Sequence, residues 1–241
     1  MTMSHGSSLE STLLQLHVEA LFTHDSKERL LSTNEIGPVA APRFYLARTT
    51  TGHLWRVRHD VPDTIARSLV ELAASEPASS DLSAAPRHLD AYRELLESLH
   101  PVDEVSAGPA FFFPDEVERP ENVVTIDPTN AHLLHPFGFS PYELAVGLES
   151  GRPFTAIVED GVARSMCHCA RFTDRAAEAG VRTLADFQGR GYAPAVVAAW
   201  ALAVRAVGRI PLYSTSWSNL RSRAVARRLG LVTYGAEWSL L

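Results

Sequence analysis

The sequence predicts a mixed α/β fold, with a sheet that combines parallel and antiparallel strands, from three coinciding features. Two apolar segments meet at Asp160-Gly161 in "EDGV", a strong hairpin signal that an all-parallel sheet would not show. Strand-like and helix-like segments alternate through the second half of the chain. Finally, "FQGRGYAPAVVAAWA", residues 187 to 201, puts two glycines at the mouth of a long apolar helix.

In chain order, "LESTLLQLHVEALF" (9–22) has helical spacing in Leu13, Leu14, His17, Leu21 and Phe22. "RFYLARTTTGHLWRVRHD" reads as two strands around the turn residues Thr51 and Gly52. Asp60 to Ala74 is a predicted helix with Pro62 early, where proline is tolerated. "SEPASSDLSAAP" is a loop by composition, and a further helix covers about His88 to Leu99. "PVDEVSAGPAFFFPDEVERPEN" is rich in proline and glycine and breaks any periodic pattern, which places a domain boundary near residue 118. An N-terminal α/β region, 1–118, and a second domain, 119–241, follow from that division.

Beyond the boundary, "NVVTIDP" is a strand candidate, and Ser140, Pro141 and Glu143 open a helix with a capping-box signature. The Asp160-Gly161 hairpin follows, then a strand in "EAGVRTLADF" and a helix from Ala193 to Val207. "IPLYSTSW" is a strand, Leu220 to Leu229 a helix closed by Gly230, and "LVTYGAEWSLL" the last strand. No repeat recurs at a fixed period.

Bulk properties narrow the function classes. A net charge of −6 and a pI near 5.9 argue against a nucleic-acid partner, which favours a basic face. No run reaches the roughly 18 apolar residues of a membrane helix, so no membrane role is expected. "MTMSHGSSLE" lacks the basic start and apolar core of a signal peptide. Cys167 and Cys169, two apart in "SMCHC", do not suit a mutual disulfide, and the expectation is a reduced, cytoplasmic protein. On a strand His168 points away from both cysteines, so no metal is expected there. His132 and His135 lack a third ligand.

Glycines two apart at a helix mouth raise a specific question, because glycine costs stability there. Helix N-termini leave four backbone N–H groups unpaired and carry partial positive charge, which suits a phosphate. Glycine lets the oxygens approach the backbone without a Cβ in the way. The anion–dipole contribution is modest, about 0.3–1 kcal/mol at an exposed site, and several converging N–H bonds must supply the rest. A P-loop would require Gly-Lys-Ser/Thr where Gly191-Tyr192-Ala193 stands, and a dinucleotide fingerprint would require glycine where Pro194 stands. A tight strand-to-helix turn without a ligand is the plain alternative.

Gln188-Gly189-Arg190-Gly191-Tyr192-Ala193 resembles the Q/R-x-x-G-x-G/A pyrophosphate loop of the GNAT superfamily, the acyl-CoA-dependent N-acyltransferases. The strand "EAGVRTL" before it, "PLYSTSWSN" after its helix and a short helix ending "ARRLGL" also resemble that family, in its order, over about residues 120 to 241. The resemblance implies a GNAT-like acyltransferase domain that moves an acetyl group from acetyl-CoA, a co-substrate, directly to an amine. It implies that the backbone of Val181, Arg182 and Thr183 faces the pantetheine arm. The amides of Gln188 through Ala193 would cradle the pyrophosphate, with Pro194 giving no N–H. Asn219 would meet the cofactor arm, although asparagine also serves well as a helix N-cap.

The chemistry sets further demands. A protonated amine cannot attack a thioester, and at pH 7 a lysine-like amine of pKa about 10.4 carries a penalty of about 4.6 kcal/mol. The resemblance implies a glutamate base near the glycine-loop strand, and Glu178 is the candidate; a solvent-facing strand-end carboxylate is the plain alternative. Ser214 matches another base position, but serine is a poor base. Developing charge on the carbonyl oxygen would be met by a backbone N–H near Val181. Ala226 stands where many family members carry a tyrosine that protonates the leaving thiolate. Tyr192, Tyr213, Tyr234 or solvent would have to serve instead.

His132, His135, Phe137 and Phe139 fall where the family borders its acceptor pocket. Arg221, Arg223, Arg227 and Arg228 read as a solvated face; the last two suit a helix C-terminus, and one of them reaching a cofactor phosphate is the alternative. Trp200 reads as core. The acceptor is a small-molecule or a protein amine, and the N-terminal region either completes the acceptor site or forms a homodimer surface. A non-catalytic acyl-CoA-binding or regulatory module is the rival reading, with Ala226 as its support.

Overall fold

Side chains that alternate between two apolar layers organise the molecule. The computed structural model describes residues 5–241, with side chains described from residue 9. Helix α1 (His5–Leu21) is followed by a small hairpin, β1 (Phe22–His24) and β2 (Leu30–Thr33). Then come β3 (Phe44–Arg48), β4 (His53–Val57), α2 (Asp63–Ala74), α3 (Leu89–Glu97) and β5 (Val105–Phe112). The chain continues through β6 (Val124–Thr125), a 3-10 turn at Ala131–Phe137, α4 (Pro141–Glu149), β7 (Phe154–Glu159), β8 (Val162–Phe172) and β9 (Ala176–Thr183). A second 3-10 turn, Ala185–Phe187, leads into α5 (Tyr192–Ala206), β10 (Ile210–Ser214), α6 (Leu220–Arg228) and β11 (Val232–Leu240).

Nine strands form one sheet in the order β4-β3-β11-β5-β10-β9-β8-β7-β6. Within it only β9 and β10 run parallel; every other neighbouring pair is antiparallel. Alternate residues face opposite sides. Ala110, Ala176 and Leu212 pack with α1, whereas Phe111, Ala177 and Tyr213 pack with the α5 side chains Val196, Val197, Trp200 and Val204. The first 3-10 turn covers Met166 and Phe154 on the α1 side, and α2 and α3 cover Phe44, Leu46 and Leu240. No helix among the described residues is long and apolar enough to cross a membrane.

Most local signals have a structural counterpart. Asp160 (φ 52°) and Gly161 (φ 72°) both adopt the left-handed backbone that a two-residue hairpin turn requires. Ser140 accepts from the Glu143 N–H while the Glu143 carboxylate accepts from the Ser140 N–H, completing the capping box of α4. Pro62 sits at the N-cap of α2, one position outside the helix, because the helix begins only at Asp63.

The segment around residue 109 differs from expectation. Val105–Phe112, read as pattern-breaking, is a central strand. Proline is tolerated there for a local reason. The Pro109 carbonyl accepts from Thr215 N on the β10 side, so the missing N–H also lies on that side, where the ladder with β10 has already ended at Ser214↔Ala110. Residue 118 separates β5 from β6, yet strands from both sides of it interleave: β5 lies between β10 and β11, and β3 pairs with β11. The expected strand over "IPLYSTSW" stops at Ser214; Thr215 and Trp217 instead donate to the Pro109 and Ala107 carbonyls of β5.

That close approach depends on Gly108. A Cβ there would land on the carbonyl oxygen of Thr215, whereas a Cβ at Gly52 would meet nothing within 4 Å. Gly108→Ala is expected to lower stability by about 1–3 kcal/mol through overpacking. Gly52→Ala should stay within about 0.5 kcal/mol. Urea unfolding of the two variants beside the parent protein measures both.

Candidate functional site

The ladder between β9 and β10 holds only three register pairs, Ile210↔Ala176 through Leu212↔Glu178. Beyond them β10 ends and its continuation follows β5, while β9 runs on to Thr183 against β8. The sheet therefore opens in a V, and from Ala179 onward β9 has no strand on its β10 side. Backbone groups along such an edge are free to pair with an extended ligand.

A cavity of about 580 Å³ adjoins the open edge. It is lined by Val181 and Thr183 of β9, by Phe187 to Gly189 and Gly191 to Pro194 at the mouth of α5, and by Asn219, Arg221, Ser222, Ala224, Val225 and Arg228 around α6. Gly189 (φ 78°) and Gly191 (φ 83°) both take the left-handed conformation, and Gly191 is the N-cap of α5. Glycine is therefore required for the turn itself. A Cβ on Gly191 would also press on the Arg228 guanidinium, 3.4 Å away. A cation thus stands beside unpaired helix N–H groups, which together suit an anion.

Of the residues singled out from sequence, Val181, Thr183, Gln188, Gly189, Gly191, Tyr192, Ala193 and Asn219 line this cavity. The Gln188 amide donates to the Thr183 carbonyl at 3.4 Å, tying the loop back to β9. Arg182 projects to the other sheet face, its guanidinium over the rings of Phe137 and Phe139. Arg190 folds back over Phe187 and donates to the Asp186 carbonyl. Asn219 acts as N-cap of α6, accepting from Ser222 N at 3.0 Å, while also lining the cavity.

Glu178 is not a solvent-facing carboxylate. It is 2% exposed, at the closed end of the V. One oxygen accepts from Ser214 N at 2.6 Å and the other lies 3.3 Å from His17 Nε2 of α1. His17 Nδ1 bonds the Tyr234 hydroxyl at 2.7 Å and lies 3.9 Å from Glu237, which in turn accepts from the Tyr45 hydroxyl at 2.9 Å. Burial alone would lower the His17 pKa, but Glu178 and Glu237 on either side raise it on balance. Burial raises the Tyr234 and Tyr45 hydroxyls far above the usual range, with Glu178 and Glu237 adding to it.

The three candidate tyrosines have separate fates. Tyr192 lines the cavity and hydrogen-bonds Glu159. Tyr213 is buried, pushed up to about 12 by burial, and its hydroxyl lies 2.6 Å from Ser222 Oγ on the cavity wall. Tyr234 belongs to the His17 network on the opposite face. Ala226 is 1% exposed in the core cluster that holds Trp200.

Sequence reasoning missed His17, Glu237 and Ser222. His17 stood in an apolar helical stripe, and that was the available signal, because a histidine among leucines must find partners when buried. Cys167 and Cys169 are buried toward α5, while His168 packs on the other face between Phe139 and Phe154. Among the described residues no group of three or more His, Cys, Asp or Glu side chains could hold a metal ion.

No family model matches the chain, and no curated protein matches it. Among solved structures it is similar to a GCN5-related N-acetyltransferase-like protein from Streptococcus suis, with 17% identity over 82% of this chain and 84% of that one, at a TM-score of 0.48. A GNAT-family acetyltransferase from Colwellia psychrerythraea is 12% identical over 78% of this chain and 76% of that one, with a TM-score of 0.49. A protein from Novosphingobium aromaticivorans, described as a GNAT-family acetyltransferase, is 20% identical over 58% of this chain at a TM-score of 0.47. The match spans 65% of that protein, just under two thirds of its length.

His168 offers a pH test of the packing beside the V. It stacks on Phe154 at 5.6 Å, and a Cβ on Gly180 would strike its Nε2. Burial, with Arg182 and Arg152 nearby, pulls its pKa down from 6.5 to about 4. The unfolded chain therefore binds a proton between pH 6.5 and 4 that the folded chain does not. This contribution to stability is present above about pH 6.5 and is lost as the pH falls toward 4. Urea midpoints at pH 7.5 and 5 should drop less on acidification in His168→Gln than in the parent protein.

Proposed function

We propose that this chain is a GNAT-type N-acetyltransferase that carries an acetyl group from acetyl-CoA to an amine. The observation that carries the reading is the cavity at the V, where a free strand edge, two left-handed glycines opening α5 and the Arg228 guanidinium converge. An extended amide chain pairs along Val181 to Thr183 in this reading, and a diphosphate sits against the amides of Gln188 to Ala193. Two buried free cysteines suit a reducing, cytoplasmic setting.

The amine nitrogen attacks the acetyl carbonyl carbon, the C–S bond breaks, and sulfur keeps the electron pair. One N–H proton must leave the new amide nitrogen. Glu178, at the closed end of the V, is the proposed acceptor, directly or through one water. In this reading a main-chain N–H near Val181 meets the carbonyl oxygen as charge builds on it. Ser222 on the cavity wall, its Oγ 2.6 Å from the buried Tyr213 hydroxyl, is the proposed group through which the thiolate is reprotonated.

Calorimetry with CoA and acetyl-CoA is expected to show binding. Gly191→Val should weaken it by about tenfold or more, because a β-branched residue cannot adopt φ 83° without strain. Arg228→Ala should weaken it several-fold and make it less sensitive to salt. No binding to the parent protein would overturn the reading.

Turnover separates an enzyme from a non-catalytic acyl-CoA-binding module. Glu178→Gln should lower kcat for thiol release by about 10²-fold or more while leaving CoA affinity within about twofold. Binding of acetyl-CoA with no thiol release over any amine would favour the module.

A further inference from the structure

A second opening adjoins the V on the opposite side of the sheet. It is a recess of about 200 Å³, walled by Ser106 and Gly108 of β5, Ser214 and Ser216 after the vertex, and Glu237 and Ser239 of β11. Register places these residues together: Glu237 pairs with Gly108, and Ser239 with Ser106, so their side chains share a face. That face is the one covered by α1, because Tyr45, the neighbour of Ser239 on β3, packs in the α1 cluster. Ser214 belongs both to this recess and to the vertex, since its N–H holds Glu178.

The wall chemistry is specific. Hydroxyls dominate it, and the one charged group is the Glu237 carboxylate, whose side chain remains 18% exposed. The Tyr45 hydroxyl fixes that carboxylate in place. Behind it, the buried His17 imidazole is shared between two carboxylates, those of Glu178 and Glu237. Arg171 stands across the strand pair from Glu178, so the carboxylate left facing the recess is that of Glu237. Buried or half-buried charge seeks a compensating partner. A cation entering the recess supplies one.

We infer that the recess binds the acceptor of the proposed transfer, and that this acceptor is a small, hydroxylated primary amine whose ammonium pairs with Glu237. The inference rests on the acetyltransferase reading and deepens it. Acetyl-CoA would approach from the α5 side and the amine from the α1 side, meeting where β9 and β10 part. The hydroxyls of the walls match hydroxyls on the ligand. A carboxylate beside the ligand nitrogen is disfavoured, because it would face Glu237 and Glu178. The anchored ammonium first gives one proton to solvent at the open recess; its neutral nitrogen then forms the C–N bond as the C–S bond breaks, sulfur keeping the electron pair, and the second N–H proton passes to Glu178. Part of this wall comes from the first half of the chain, through Ser106, Gly108 and the Tyr45 and His17 supports.

Ligand-observed NMR on the full chain, without CoA, tests the recess independently of turnover. The probes are 2-aminoethanol and glucosamine, with glycine, ethylene glycol and a lysine-containing peptide as controls. The two amino alcohols are expected to bind, and Glu237→Gln to weaken them about tenfold or more, the scale of a lost charge-assisted bond. Ser106 is exposed, so Ser106→Phe narrows the recess without touching a core residue and should have a similar effect. CoA affinity, measured by calorimetry on the same samples, should stay within about twofold in both variants.

The inference is overturned if the amino alcohols bind no better than ethylene glycol, or if both variants bind them as the parent does. It is also overturned if glycine or the peptide binds more tightly than the amino alcohols. Those results leave CoA binding intact and so spare the broader reading. Loss of CoA binding in the parent protein would instead remove the broader reading and leave the amine site standing on its own NMR result.

Discussion

A single buried carboxylate sets the shape of the open part of the sheet. Glu178 lies at the last register pair between β9 and β10, and it accepts from Ser214 N just as that ladder runs out. Removing a carboxylate from water costs several kcal/mol unless hydrogen bonds and an opposite charge replace the solvent. Here Ser214 N and the His17 imidazole take that role. The end of β10 is thereby pinned to the vertex, and the chain beyond it is delivered to β5 instead of β9. The free edge of β9, and with it the cavity at the mouth of α5, depends on that redirection.

The two faces of the sheet divide the chemistry. On the α5 side the V meets left-handed glycines, a helix N-terminus and a guanidinium, all suited to an anion. On the α1 side it meets hydroxyls and carboxylates, suited to a cation. In the proposed transfer, these opposite electrostatic preferences would bring an anionic cofactor and a cationic acceptor to the vertex from the two faces. The first half of the chain is not an appendage in this arrangement. β5 fills the middle of the sheet, and α1 supplies the imidazole that offsets part of the vertex charge.

How much of this the sequence discloses depends on the distance over which each signal acts. The hairpin at Asp160-Gly161 and the capping box at Ser140 are decided within four residues, and both are present as read. The glycine motif is likewise local, and most residues singled out around it line the cavity. β5 is different. Pro109 is compatible with a central strand only because β10 has already turned aside, a fact fixed about a hundred residues later in the chain. His17 and Glu178 show the same limit. Each looks ordinary in its own segment, and their roles arise from a contact between residues 161 positions apart in sequence.

The alanine at position 226 shows how a family pattern and a local fold can be weighed against each other. Read by spacing alone, it is a tyrosine lost from a catalytic position and an argument for a module without turnover. In the structure that position lies in the core cluster with Trp200, where a large polar side chain would have to displace packed neighbours. The α6 positions that line the cavity are Arg221, Ser222, Ala224, Val225 and Arg228. A hydroxyl is present among them, and Tyr213 stands directly behind it at 2.6 Å. Alanine at 226 fits the packing of that cluster. Because a thiol of ordinary pKa, about 8.5, needs little help to leave or to recover its proton, the proposed transfer would make its greater demand at the amine. That demand falls on the α1 face, where the carboxylates lie.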